Sequence, residues 1–211
     1  MIGVVVIVAV IALAVAAFGG AGVGSGAGSG AGAGSGAGAG SGPAAGIVTQ
    51  TGPPPWRADP GGLRARLEGA GLPALTAEGQ ALHTHQHIDV FVDGQRVTVP
   101  ANIGVSSVER FISPVHTHDA SGVIHVESPT VRDFTLGQFF DVWGVRFGGG
   151  CIGGECASGG RELSVYVNGA AVTGDPRAVV LAAHQEIVVA IGTPAQLPSP
   201  VPATYQFPGG L

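Results

Sequence analysis

From residue 83 onward, apolar and polar side chains alternate in short runs separated by turn residues. Successive side chains on a strand point to opposite faces, so this pattern predicts a chain of half-buried strands. In HTHQHIDVFV, residues 83–92, His83, His85, His87, Asp89 and Phe91 fall on one face, and Thr84, Gln86, Ile88, Val90 and Val92 on the other. Asp93-Gly94 then supplies the positive φ angles of a type I′ hairpin, and RVTVP returns as far as Pro100. Residues 101–113 read as irregular, after which His116 and His118, the DASG turn and VIHVE predict a second hairpin broken at Ser128-Pro129-Thr130.

Past Thr135 the period changes. Leu136, Phe139, Phe140 and Trp143 stand at helical spacing behind a Thr N-cap, with Gly144 as the stop. That aromatic stripe belongs in a core. LSVYVNG, residues 163–169, is another strand with an Asn-Gly hairpin turn, Gly174-Asp175-Pro176 turns the chain again, and a last strand spans about Glu186 to Ile191. The expected fold class is α+β: a mixed sheet with one main helix and a histidine-bearing hairpin inserted into it.

Before residue 83 the pattern is of other kinds. Residues 2–18 are an uncharged apolar run near the lower limit for crossing a bilayer, and read either as an anchor or as a signal peptide cut near Ala14-Val15-Ala16. Residues 19–46 are a Gly/Ala/Ser tract that resembles silk repeats in miniature but behaves, at this length, as a disordered tether. Residues 47–82 form a Pro-rich lead-in with a short helix opening at LRARL, the folded domain runs from 83 to 193, and residues 194–211 are a Pro-rich tail. Of 211 residues, the part with core-forming patterns is of ordinary single-domain size.

Composition then excludes one class. A formal charge of −5 with no lysine and no basic run leaves no electrostatic footprint for nucleic acid. The two cysteines, Cys151 and Cys156, have four residues between them in a Gly-rich loop. After an export-type segment, such a pair reads as a short disulfide and places the domain on the extracytoplasmic side of a membrane.

Histidine carries the chemistry. Six of the seven histidines lie between residues 83 and 127. An isolated His-x-His is ordinary on a solvated strand, but two such runs and a cross-strand histidine point to a ligand set. If the DASG turn sets His118 opposite Val123, His116 lies across from His125 on one face. Neutral imidazole suits Zn²⁺ or Cu²⁺, whereas Met1 is the only methionine, so a Met-rich Cu(I) site is not expected. The preferred ligands are His116, His118 and His125, joined by one or two of His83, His85 and His87. Asp89, Asp119, Glu127 and Glu186 are expected to orient the rings. His184 reads as a structural histidine.

The hairpin, helix and second hairpin, with YVNG and a late strand ending in IG, resemble the β-grasp modules of exported bacterial proteins over roughly residues 87–192. The combination HTHxH, HTHD, IHVESP and FTLGQFFDxWG also resembles a group of uncharacterised membrane-anchored bacterial proteins, a likeness that carries no activity with it. The leading expectation is a membrane-tethered metal-binding domain. The alternatives are a β-grasp binding or assembly module whose histidines sense pH, and a metal-dependent enzyme using Glu127 or Asp119 as general base. The chain has no nucleophile motif, phosphate loop or HExxH, which weighs against the enzyme.

Overall fold

The computed structural model describes residues 50–211. The apolar run and the Gly/Ala/Ser tract lie outside these residues. Among the described residues no helix is long and apolar enough to cross a membrane.

The chain is mixed α+β, dominated by one mixed sheet. In order, it forms α1 (Leu63–Gly69), β1 (Leu82–Val92), β2 (Gln95–Val97), β3 (Val105–Ser106), β4 (Phe111–Ile112), β5 (Val115–His116) and β6 (Val123–Ser128). It continues with α2 (Leu136–Trp143), β7 (Phe147–Gly148), β8 (Cys151–Ile152), β9 (Glu155–Cys156), β10 (Glu162–Val167), β11 (Ala170–Ala171) and β12 (Glu186–Gly192). The main sheet has the order β11-β10-β12-β1-β6-β5, with β2 added to β1. Among the strand pairs of this sheet in the described residues, only β1–β12 is parallel.

β1 is the axis of this sheet because its two halves have different partners. Val90 to Val92 pair with β2 across a turn in which Asp93 and Gly94 take φ of 49° and 81°, as a type I′ turn requires. Leu82 to His87 pair instead with β6. On the other side, His87 to Val92 run parallel to Glu186–Ile191 of β12. The returning strand is shorter than its sequence pattern, ending at Val97 rather than Pro100, and residues expected to be irregular contain the small β3–β4 ladder.

One face of the sheet is apolar. Ile88, Val90, Ile124, Val126, Ile187 and Val189 join α2's Leu136, Phe139, Phe140 and Trp143 in one buried core. Helix α2 starts where expected: the Thr135 hydroxyl accepts from the Gln138 amide, the Gln138 side chain accepts from the Thr135 amide, and Gly144 ends the helix at φ 76°. Truncating Phe139 or Phe140 to Ala would cost about 3–5 kcal/mol, as for other fully buried aromatics. The lead-in joins this core as well, since Trp56, Leu63, Leu67 and Leu72 are buried and Trp56 meets Trp143 edge-on at 6.0 Å. Cys151 and Cys156 face each other across the β8–β9 ladder and are joined by a disulfide.

The opposite face of the sheet carries His83, His85, His87 and Asp89 from β1, His125 and Glu127 from β6, and Glu186 from β12. The Pro-rich tail lies over part of it. Tyr205 stacks on His87 at 3.8 Å with the planes 6° apart, and Phe207 packs beside His184 at 5.0 Å.

Candidate metal centre

The ladder registers line up imidazoles across three strands. His85 of β1 is directly opposite His125 of β6, and His125 is directly opposite His116 of β5. Directly paired residues project to the same face, so these rings form a row perpendicular to the strands. The next row along holds His83 opposite Glu127. His118 follows the end of β5 and folds its ring back over the row, edge-on to His125 at 4.5 Å and to His116 at 4.7 Å.

Ring nitrogens then converge pairwise. His116 Nε2 is 3.1 Å from His118 Nε2, and His83 Nε2 is 3.2 Å from His85 Nε2. Alternate strand residues start roughly 6.6–7 Å apart at Cα, but the imidazoles lean together and close the gap. At zinc–nitrogen distances near 2.0–2.1 Å, two ligands of a tetrahedron stand about 3.3 Å apart, so both pairs have nearly the spacing of shared ligation.

Backbone hydrogen bonding fixes one tautomer. His116 Nδ1 is 2.9 Å from the Ser113 carbonyl, which can only accept, so Nδ1 carries the proton and Nε2 presents a lone pair. Burial, reinforced by His118 and His125, holds the His116 pKa down to about 3. Burial, with His118 and His85 behind it, lowers His125 to about 4 and, with His83, also lowers His85. The three rings of the row are therefore neutral and able to coordinate at neutral pH.

Glu127 closes the site at its β6 end. Its Oε1 is 3.2 Å from both His125 Nδ1 and His83 Nε2, while its Oε2 is buried without a partner. Burial, followed by the neighbouring Glu78, raises the Glu127 carboxyl above its ordinary range. A cation would satisfy the orphaned oxygen and offset that burial.

Among the described residues, three groups have ligand atoms within 4.8 Å of one another: His116, His118, His125 and Glu127; His83, His85 and Glu127; and His87, Asp89 and Glu186. The chain matches no family model, no curated protein and no solved structure.

His87 stands apart from the other five rings of the 83–127 stretch. Its Nε2 donates to the Ser121 carbonyl at 3.0 Å, its Nδ1 is held by Glu186 Oε2 at 2.7 Å, and Tyr205 covers one face of the ring. Both ring nitrogens already have a partner within the fold. Asp89 is held by Arg96 and sits 3.8 Å from His87, so it and Glu186 serve that pair rather than the imidazole row. Asp119 is exposed and caps the Ser121 amide at 2.8 Å, which lowers its pKa through the Ser121 hydrogen bonds. His184 Nε2 turns to the Leu211 oxygen at 3.3 Å.

Two contributors have no signal in the sequence pattern. Glu78, in the loop before β1, reaches His118 Nε2 at 3.3 Å, and Ser113 acts only through its backbone carbonyl. A carbonyl acceptor leaves no trace in residue type. Glu78 lies outside any periodic segment.

Proposed function

We propose that the chain is a metal-binding domain, taking Zn²⁺ or Cu²⁺ through His116, His118 and His125 with Glu127 alongside. The observation that carries this reading is the His116–His118 contact. One ring is locked with its lone pair outward by the Ser113 carbonyl, and a second ring nitrogen meets it at 3.1 Å. A hydrogen bond between the two rings is the ordinary alternative, but it would leave Glu127 Oε2 buried without a hydrogen-bond donor. An ion accounts for both. Imidazole with one carboxylate is a borderline donor set suited to these two metals.

The fold supports a finer reading. A hairpin (β1–β2), a helix on one face, and a β10–β12 pair whose last strand runs parallel to β1 make a β-grasp-like arrangement. The β5–β6 hairpin is then an insertion that widens the sheet and brings the site with it. We place the domain outside the cytoplasm, tethered by residues 2–18; the Cys151–Cys156 disulfide supports an oxidising compartment.

Metal analysis and calorimetric titration of the purified, chelator-stripped protein test this function. Saturable binding of Zn²⁺ or Cu²⁺ that is lost in H116A supports it. Absence of a saturable site in the unmodified protein refutes it.

A further inference from the structure

One ion cannot use all the donors that converge here. Four ligands fill a tetrahedral site, whereas five imidazoles and a carboxylate meet on this face. They also sort into two sets. His116, His118 and His125 surround one point, and His83 and His85 bring their Nε2 atoms together at 3.2 Å one step further along the strands. Glu127 belongs to both sets.

We infer that the site holds two divalent ions, the first between His116, His118 and His125, the second between His83 and His85, with the Glu127 carboxylate bridging them. This rests on the metal-binding reading above and adds a second ion to it. Glu127 is suited to the bridge. Its Oε1 lies 3.2 Å from a ring of each set, and its Oε2 is buried without a hydrogen-bond donor, with the Glu78 carboxyl as its acidic neighbour. A carboxylate with one oxygen shared and one orphaned is a poor hydrogen-bond partner and a good bridge between cations. Carboxylate-bridged ions would stand roughly 3.5–4 Å apart, the usual separation of two-metal sites.

The two positions differ in what else they offer. His116 is fully buried and His125 nearly so, and with His118 they give the first ion three imidazoles. The second ion has two, and lies beside an open cleft lined by His83, His85, His184 and Leu211. Its remaining positions go to water or a small anion entering from that cleft. The first ion is therefore the tighter, and the second the exchangeable one.

Cu²⁺ titration of the chelator-stripped full chain, in detergent, tests this by native mass spectrometry and electron paramagnetic resonance. The expected result is two ions per chain, bound in two steps. At the second equivalent the spin intensity should fall below that of two isolated ions because the bridged pair couples. His83 is half exposed, so H83A and H83Q are expected to keep the wild-type circular dichroism spectrum, bind a single ion and give an isolated Cu²⁺ spectrum. One ion per wild-type chain, lost in H116A, overturns the second site and leaves the proposed function standing. Two ions without coupling overturn the bridge. No saturable ion removes both readings.

Discussion

His116 and His125 face each other directly across the β5–β6 ladder with their rings nearly parallel, 5.3 Å between centroids. His125 is at the same time opposite His85 on β1, so a single residue of β6 ties the imidazoles of three strands into one surface. Loss of His125 would remove a proposed ligand and also the ring against which His85, His116 and His118 are packed.

This sets a hierarchy among histidine replacements. H116A and H125A should each weaken Zn²⁺ or Cu²⁺ binding by more than the 10–100-fold that loss of an outer-sphere partner costs. H184A should leave affinity unchanged, because its imidazole turns to the Leu211 oxygen. Calorimetry on the three variants checks the order. A large loss in H184A with little in H125A would contradict the assignment.

His87 and Glu186 should behave as a structural pair. Both are buried, and their 2.7 Å contact joins strands whose sequence positions are 99 apart. Removing one partner of such a pair typically costs about 3–5 kcal/mol because the other is left buried alone. E186A is therefore expected to lower stability in urea by that order while the metal count stays that of the wild type. The same variant should raise amide exchange in residues 203–207, since Tyr205 loses the oriented ring it stacks on.

The disulfide should be separable from the metal site. Neither Cys151 nor Cys156 belongs to a candidate ligand group, and their bond closes a loop of about six residues, for which chain-entropy estimates give about 2 kcal/mol. Reduction should lower the urea midpoint modestly and leave metal stoichiometry unaltered. A reduced protein that binds an additional ion would show that the thiolates are ligands when free.

How much of this could be read beforehand follows from which interactions are local. The period-two runs and the DASG turn are local, so the common face of His116 and His125 follows from strand geometry once the turn's register is given. Thr135 and Gly144 bounded α2 for the same reason. The fate of His87 is not local. It stands two residues from His85 on the same face, yet the parallel neighbour β12 brings Glu186 beside it, and the Ser121 carbonyl takes the other nitrogen. No pattern within residues 83–92 separates His87 from His85. The tail is the other case. In sequence it is no more than a Pro-rich tail, and only the sheet's uncovered polar face gives Tyr205 and Phe207 somewhere to pack.

Acid should destabilise the metal-free protein well before its carboxylates titrate. In the folded state burial depresses His116 to about 3 and His125 to about 4, against an unfolded value near 6.5. A depressed folded pKa contributes stability that is complete above the unfolded value and is lost as pH falls through the interval below it. Between about pH 6.5 and 4 the unfolded chain therefore holds more protons than the folded one, and stability drops by about 1.4 kcal/mol per pH unit for each such histidine. His85 adds in the same direction. Glu127 acts oppositely, since its raised carboxyl takes up a proton in the folded state first, and Asp119 with its lowered pKa loses a little as acid is added. His83, His118 and Glu78 also face the row, and His184 lies near His85. Two to three histidines outweigh one carboxyl, so the net slope is positive. Urea denaturation with chelator present at pH 7.5, 6.0 and 5.0 checks it: stability should be nearly level above the first crossing and fall below it, and H116A should flatten the slope by about one proton. A profile that stays level down to pH 5 would mean that the row is already open to solvent and protons in the folded protein.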